Sequence, residues 1–178
     1  MIRIHDKHFV PFISADHLNE VVSRMAQEIA EDIDEEAPIF IGVLNGAFMF
    51  VSDFVKHFPK PCEVSFVKLS SYQGTTSTEK VQQLIGLNKD ISGRTVVVLE
   101  DIIDTGNTLV EIKRLLENEK VKQLKIATLF FKPEAYTKDI PIDYIGMEIP
   151  NKFIVGYGLD YDELGRNLPE IYQLNNNI

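Results

Sequence analysis

The sequence predicts an α/β domain with a central, mostly parallel sheet flanked by helices. Three observations carry that expectation. Ile39-Phe40-Ile41-Gly42-Val43-Leu44 and Thr95-Val96-Val97-Val98-Leu99 are short, nearly unbroken apolar runs, the pattern of strands buried on both faces. Amphipathic helical stripes separate such runs, and strand, helix, strand in that register is a βαβ unit. The chain has 178 residues, 44% of them hydrophobic and 25% charged, which suffices for one domain with its own core and no staple.

The elements follow in order. Ser14 caps a helix whose apolar stripe is Leu18, Val21, Val22, Met25, Ile29 and Ile33. The strand Ile39–Leu44 enters the turn Asn45-Gly46 and a helix through Phe48, Val51, Phe54 and Val55. After Pro59-Lys60-Pro61 a second strand runs from Val64 to Leu69. Ser70 to Arg94 begins polar and turn-rich, with Val81 to Leu87 as a short arm; long connections inside compact domains are commonly lids or disordered. Thr95–Leu99 then leads through a loop, Glu100 to Thr108, into a helix with Leu109, Ile112, Leu115 and Leu116 on one face. A strand over Leu124–Phe131 follows, then short strands near Tyr144–Met147 and Phe153–Gly156 and a glycine- and acid-rich tail. One domain is expected: a core over about 35–145, a lid over about 70–90 and a small subdomain built from the two chain ends.

Composition narrows the function. Lys and Arg number 18 against 27 Asp and Glu, a formal charge of −9, which disfavours nucleic acid or an anionic membrane as partner. The N-terminal MIRIHDKHFVPF has no apolar signal region, and the longest apolar stretch, Ile39 to Val51, is too short to span a bilayer. With Cys62 as the single cysteine, a cytoplasmic protein without disulfides is expected, Cys62 being a small buried hydrophobe. His5, His8, His17 and His57 lack zinc spacing. Gly74 to Lys80 lacks the second glycine and the Lys-Ser/Thr end of a P-loop, and there is no G-x-G-x-x-G.

The chemistry concentrates in Glu100-Asp101-Ile102-Ile103-Asp104-Thr105-Gly106-Asn107-Thr108. Ligands of open α/β sheets bind at the carboxyl ends of strands, where this segment lies. The helix that follows offers free N–H groups and a positive dipole end, favourable for phosphate. Gly106 permits close backbone approach, and Thr105 and Thr108 add hydroxyls. Glu100, Asp101 and Asp104 would repel a phosphate unless they face sugar hydroxyls or a divalent cation. Phosphate at one end and diol plus metal at the other describes a sugar phosphate.

This segment resembles the phosphoribosyl-diphosphate motif of the type I phosphoribosyltransferases, in the form of the branch that uses hypoxanthine and guanine. The likeness extends over nearly the whole chain. It implies that fold, with a hood from the chain ends and a mobile lid, and purine salvage as the activity: transfer of phosphoribosyl to a 6-oxopurine with Mg²⁺. Asp104 would accept or relay the proton at N7 of the purine. Glu100, Asp101, Thr105, Gly106, Asn107 and Thr108 would bind the ribose 5-phosphate. Leu44-Asn45-Gly46-Ala47 resembles the diphosphate loop, where the family places a strained, sometimes cis, non-proline peptide; many members carry lysine where this chain has Asn45. Ser71-Tyr72 matches the start of the lid, whose closure would exclude water. Lys132, just after a strand, would donate to the 6-oxo group, since an ammonium can only donate. Lys152 to Glu163 resembles the purine-site segment: Phe153 would stack on the base, the main chain near Val155 would read its edge, Asp160 would hold magnesium and Arg166 would anchor diphosphate. Metal ligands would be Glu100, Asp101 and Asp160. Such enzymes are usually homodimers or homotetramers. A regulatory protein that senses phosphoribosyl diphosphate and binds RNA or DNA is the rival in another class. The acidic charge and the set Asp104, Lys132 and Phe153 favour the enzyme.

Overall fold

The computed structural model describes residues 1–34, 36–71, 81–85, 90–117 and 119–175, with 70, 71 and 81–85 described by their backbone alone. The elements are β1 (Ile2–Ile4), β2 (Lys7–Ile13), α1 (Ala15–Asp32), β3 (Ile39–Leu44), α2 (Phe48–His57), β4 (Glu63–Ser71), β5 (Val81–Ile85), β6 (Thr95–Ile103), α3 (Asn107–Glu117), β7 (Gln123–Phe131), β8 (Tyr144–Glu148), β9 (Ile154–Val155) and β10 (Ile171–Leu174).

The large sheet has the order β5-β4-β3-β6-β7-β8. β4, β3, β6, β7 and β8 run parallel, and β5 is an antiparallel edge strand. From β3 the chain moves outward to β4; from β6 it moves the other way to β7. The strand order therefore reverses between β3 and β6, and a crevice opens at their carboxyl ends. The two crossovers cover opposite faces. α1 and α2 pack with Phe40, Val97 and Leu99, whereas α3 packs with Ile41, Val96 and Val98. The expected stripe of α1 is buried throughout, and the His17 N–H donates to Ser14 Oγ at 3.3 Å at its start.

The second sheet, β1-β2-β10-β9, is antiparallel and joins the two chain ends, β10 lying between β2 and β9. It closes its own small core around Ile4, Phe9 and Val155.

Several sequence expectations change. β6 continues to Ile103, so Glu100 and Asp101 belong to a strand end and the turn begins at Asp104. Carboxylates have low strand propensity, but pairing with β7 through Ile103↔Phe131 overrides it. The strand near Phe153 is confined to Ile154–Val155. Phe48 is exposed at the start of α2, whose buried face is Phe50, Val51 and Phe54. Cys62 is half-buried at the edge of the core, where burial raises its thiol pKa. Val81–Ile85 pairs back on β4 as a hairpin, with Ser71 opposite Val81. Among the described residues, no helix is long and apolar enough to cross a membrane.

Candidate active site

Two turns lie side by side at the reversal point. The first joins β6 to α3. The Thr105 N–H donates to Asp104 Oδ1 at 2.5 Å, and Gly106 takes φ +82°, a left-handed conformation that glycine adopts without cost. α3 begins immediately, with the Val110 N–H on the Gly106 carbonyl at 3.2 Å. Asn107 and Thr108 are exposed in its first turn, and with Glu100, Asp104 and Gly106 they line one pocket. The first turn of α3 thus stands beside a hollow lined by Glu100, Asp104, Asn107 and Thr108, and a helix start leaves N–H groups without helical partners.

The acidic residues behind it face different ways. Leu99 and Ile102 both pack on the α1/α2 side, so the in–out alternation of β6 slips by one residue between them. Glu100 is buried in the pocket wall. Burial, then the charges of Asp101 and Asp104, holds its carboxyl well above the usual range. Asp101 is half-buried, and burial pushes it up to about 6 although Arg166 and the Ile102 N–H, which donates to Oδ1 at 2.9 Å, favour its charged form.

The second turn joins β3 to α2. Its Leu44–Asn45 peptide is cis. The Ala47 N–H donates to the Val43 carbonyl at 3.2 Å and the Phe48 N–H to the Asn45 carbonyl at 3.3 Å. No side chain caps α2. Gly46 sits where a Cβ would stand 1.7 Å from Asp101 Oδ2, and a Cβ on Gly158 would stand 2.0 Å from the Gly46 carbonyl oxygen. The Asp101 carboxylate and the Gly158 backbone therefore both close on Gly46. Asp53 on α2 is tied to the same stretch: it accepts a hydrogen bond from Tyr157 at 2.6 Å. Burial raises its carboxyl, but the bonds from Lys56 and Tyr157 together hold it below the ordinary value. Neither partner was legible as a site residue, because they lie 104 residues apart in sequence.

Gly158 leads to Asp160, whose Oδ1 is 2.7 Å from Arg166 and whose Oδ2 accepts the Glu163 N–H at 2.8 Å. Arg166 also donates to the Gly158 carbonyl at 2.8 Å. On the other flank, Lys132 follows β7 with its N–H on the Ile103 carbonyl at 3.0 Å. It is buried, which lowers its pKa, while the charge of Asp104 acts in the opposite sense. That backbone bond sets Lys132 beside the turn that begins at Asp104. Phe153 is 45% exposed, its ring meeting Tyr161 edge-on at 5.8 Å and Phe9 at 6.3 Å; Val155 beside it is buried in β9. Ser71 ends β4, and Tyr72 lies outside the described residues. Asn45, Gly46, Glu100, Asp101, Asp104 to Thr108 and Lys132 are thus gathered around the crevice, with Asp160 and Arg166 entering through Gly158.

Among the described residues no three carboxylates, histidines or cysteines form a ready metal cage. The donor chemistry still suits Mg²⁺. Glu100 and Asp101 are adjacent hard oxygen donors at the carboxyl end of β6, and Mg²⁺ is commonly held by one or two carboxylates plus substrate phosphates.

Comparison with known proteins agrees with this geometry. The family described as phosphoribosyl transferase domain matches residues 14–162. A hypoxanthine-guanine phosphoribosyltransferase of Staphylococcus epidermidis is 41% identical over 160 residues, covering 89% of this chain and 89% of the relative. One of Streptococcus thermophilus is 42% identical over 155 residues, covering 86% of each. A crystal structure of a hypoxanthine-guanine phosphoribosyltransferase from Bacillus anthracis, with HEPES in its active site, aligns with a TM-score of 0.87 at 40% identity, over 93% of this chain and 98% of that one.

Proposed function

This chain belongs to the phosphoribosyltransferase family, and on that premise we propose that it transfers the 5-phosphoribosyl group of phosphoribosyl diphosphate to hypoxanthine and guanine, releasing IMP or GMP and diphosphate. The observation that carries the base assignment is the Lys132 N–H on the Ile103 carbonyl at 3.0 Å, which sets this buried lysine beside the turn that begins at Asp104. One group can only donate and the other can accept, which is the complement of a 6-oxopurine with N7 beside its oxo group.

The turn Thr105–Thr108 binds the 5-phosphate through N–H groups and hydroxyls. Glu100 and Asp101 take the ribose hydroxyls. Asn45 and Gly46 present backbone to the diphosphate, with Arg166 on its far side. Asp104 holds the proton of the base at N7 as N9 attacks C1 of the ribose. Phe153 covers the purine face, and the main chain at Val155 meets its edge. Glu100, Asp101 and Asp160 would hold Mg²⁺, which supplies charge neutralisation of the leaving diphosphate when bound. Ser71 and Tyr72 take part in binding the diphosphate. Most of the catalysis then comes from positioning and from stabilising charge that leaves with diphosphate. The enzyme works as a homodimer or homotetramer in the cytoplasm.

The deciding experiment offers phosphoribosyl diphosphate and Mg²⁺ with hypoxanthine, guanine, xanthine and adenine side by side. Hypoxanthine and guanine should turn over and adenine should be very poor. Adenine used as readily as hypoxanthine would remove Lys132 from its assigned role.

A further inference from the structure

The phosphate loop lacks a cation of its own. From Thr95 to Ile112 the chain carries Glu100, Asp101, Asp104 and Glu111 and no lysine or arginine. A phosphate monoester brings close to two negative charges into that company. Hydroxyls and helix N–H dipoles offset only part of it. Two cations already described have other engagements: Lys132 is buried beside Asp104, and Arg166 is bound to Asp160 at 2.7 Å.

Lys138 is placed differently. A Cβ on Gly106 would stand 2.6 Å from Tyr136 Cε2 and 2.8 Å from Lys138 Cγ, so the lysine stem rests on the backbone of the phosphate loop. The residue is half-buried, and no carboxylate among the described residues pairs with its ammonium. The segment that carries it is anchored. Thr137 Oγ1 donates to the Thr105 carbonyl at 3.3 Å, and Tyr136 donates through its hydroxyl to the Ile140 carbonyl at 2.6 Å. The Tyr136 ring also meets Phe131 edge-on at 5.4 Å. An unpaired lysine whose apolar stem is packed and whose head is free is arranged to receive an anion.

We propose that Lys138 is the cationic ligand of the substrate's 5-phosphate, held over the Thr105–Thr108 loop by the Tyr136–Thr137 anchor. This rests on the phosphoribosyl-transfer reading and adds to it a residue outside the acidic motif. Charge reaches the loop from the segment after β7, not from the loop itself.

Lys138→Met keeps the apolar stem and removes the charge. Titrating wild type and variant with IMP and with inosine separates phosphate contacts from base and ribose contacts. The variant should bind IMP about tenfold to a hundredfold more weakly, the span of one charge-assisted hydrogen bond, while inosine affinity changes by less than about twofold. KM for phosphoribosyl diphosphate should rise with it, and Lys138→Arg should restore most of both. Unchanged IMP affinity, or equal losses for IMP and inosine, overturns the role of Lys138. A wild-type chain that binds IMP no better than inosine, or makes no IMP, overturns phosphoribosyl transfer itself and this proposal with it.

Discussion

The two turns at the reversal point are built by opposite means. The β6–α3 turn uses side chains: Asp104, Asn107 and Thr108 line the pocket, and one glycine, Gly106, supplies the left-handed bend. The β3–α2 turn uses almost none. Gly46 is pressed between the Asp101 carboxylate and the Gly158 stretch so closely that a single methyl group cannot enter. One turn should therefore tolerate changes of backbone neighbours and fail on loss of a functional group. The other should do the reverse.

The sharpest test of the first half is Asp104→Asn. Size and hydrogen-bonding shape are kept, and proton acceptance is lost. Turnover should fall by about 10²–10⁴, the usual span for a general base, with little change in affinity for phosphoribosyl diphosphate. Steady-state kinetics with hypoxanthine measures it; near-normal turnover would leave this turn with binding alone.

Gly46→Ala tests the second half. The added carbon would lie 1.7 Å from Asp101 Oδ2, so the carboxylate or the turn must move. Overpacking of this kind costs about 1–3 kcal/mol. It should appear as a higher KM for phosphoribosyl diphosphate, with a smaller loss of IMP affinity, since IMP would meet Asp101 through its ribose but carries no diphosphate. A variant with wild-type KM would show that this turn does not contact diphosphate.

A smaller perturbation acts from outside. Tyr157→Phe removes the hydroxyl that holds Asp53 on α2 and leaves the ring in place. One hydrogen bond is worth about 0.5–1.5 kcal/mol, and Lys56 still pairs with Asp53. Denaturant unfolding should show a loss of that order, and KM for phosphoribosyl diphosphate should rise a little as α2 and the Gly158 stretch loosen. Loss of stability without any change in KM would confine the bond to structure.

The same contrast explains what the sequence made legible. α1 was readable because Leu18, Val21, Val22, Met25 and Ile29 repeat at helical spacing and all are buried. The apolar part of β6 was readable because Val96 to Leu99 are β-branched or apolar and fully buried. Its last residues were not, because Glu100 to Ile103 extend the strand through pairing with β7, a tertiary effect no local pattern encodes. In the site, the acidic motif was legible from residue type and position after a strand, and Lys132 only through the family resemblance. The contacts of Gly46 with Asp101 and Gly158, and the bond from Tyr157 to Asp53, were not, since glycine carries no chemistry to read and the partners are distant in sequence. Lys138 left only an indirect signal: a phosphate loop with no positive charge.

The smallest expected effect concerns the carboxylate that the two turns share. Asp101 belongs to β6, its Oδ2 lies against Gly46, and burial pushes its pKa up from 3.8 to about 6. The folded state therefore keeps a proton that the unfolded chain has released. Where the native form binds more protons, stability falls as pH rises. This group's contribution is present below about pH 4 and is lost progressively as pH rises through about 6, leaving a charge near Glu100 whose field is partly screened by solvent. Asp101→Asn removes that titration. The variant should be more stable than wild type at pH 7.5 by about 1 kcal/mol, and the gain should shrink toward pH 4.5. Thermal unfolding of both proteins at the two pH values measures the difference directly. A gain of the same size at both would place its origin in packing against Gly46 and not in charge, and the shared carboxylate would then count as part of the main-chain turn alone.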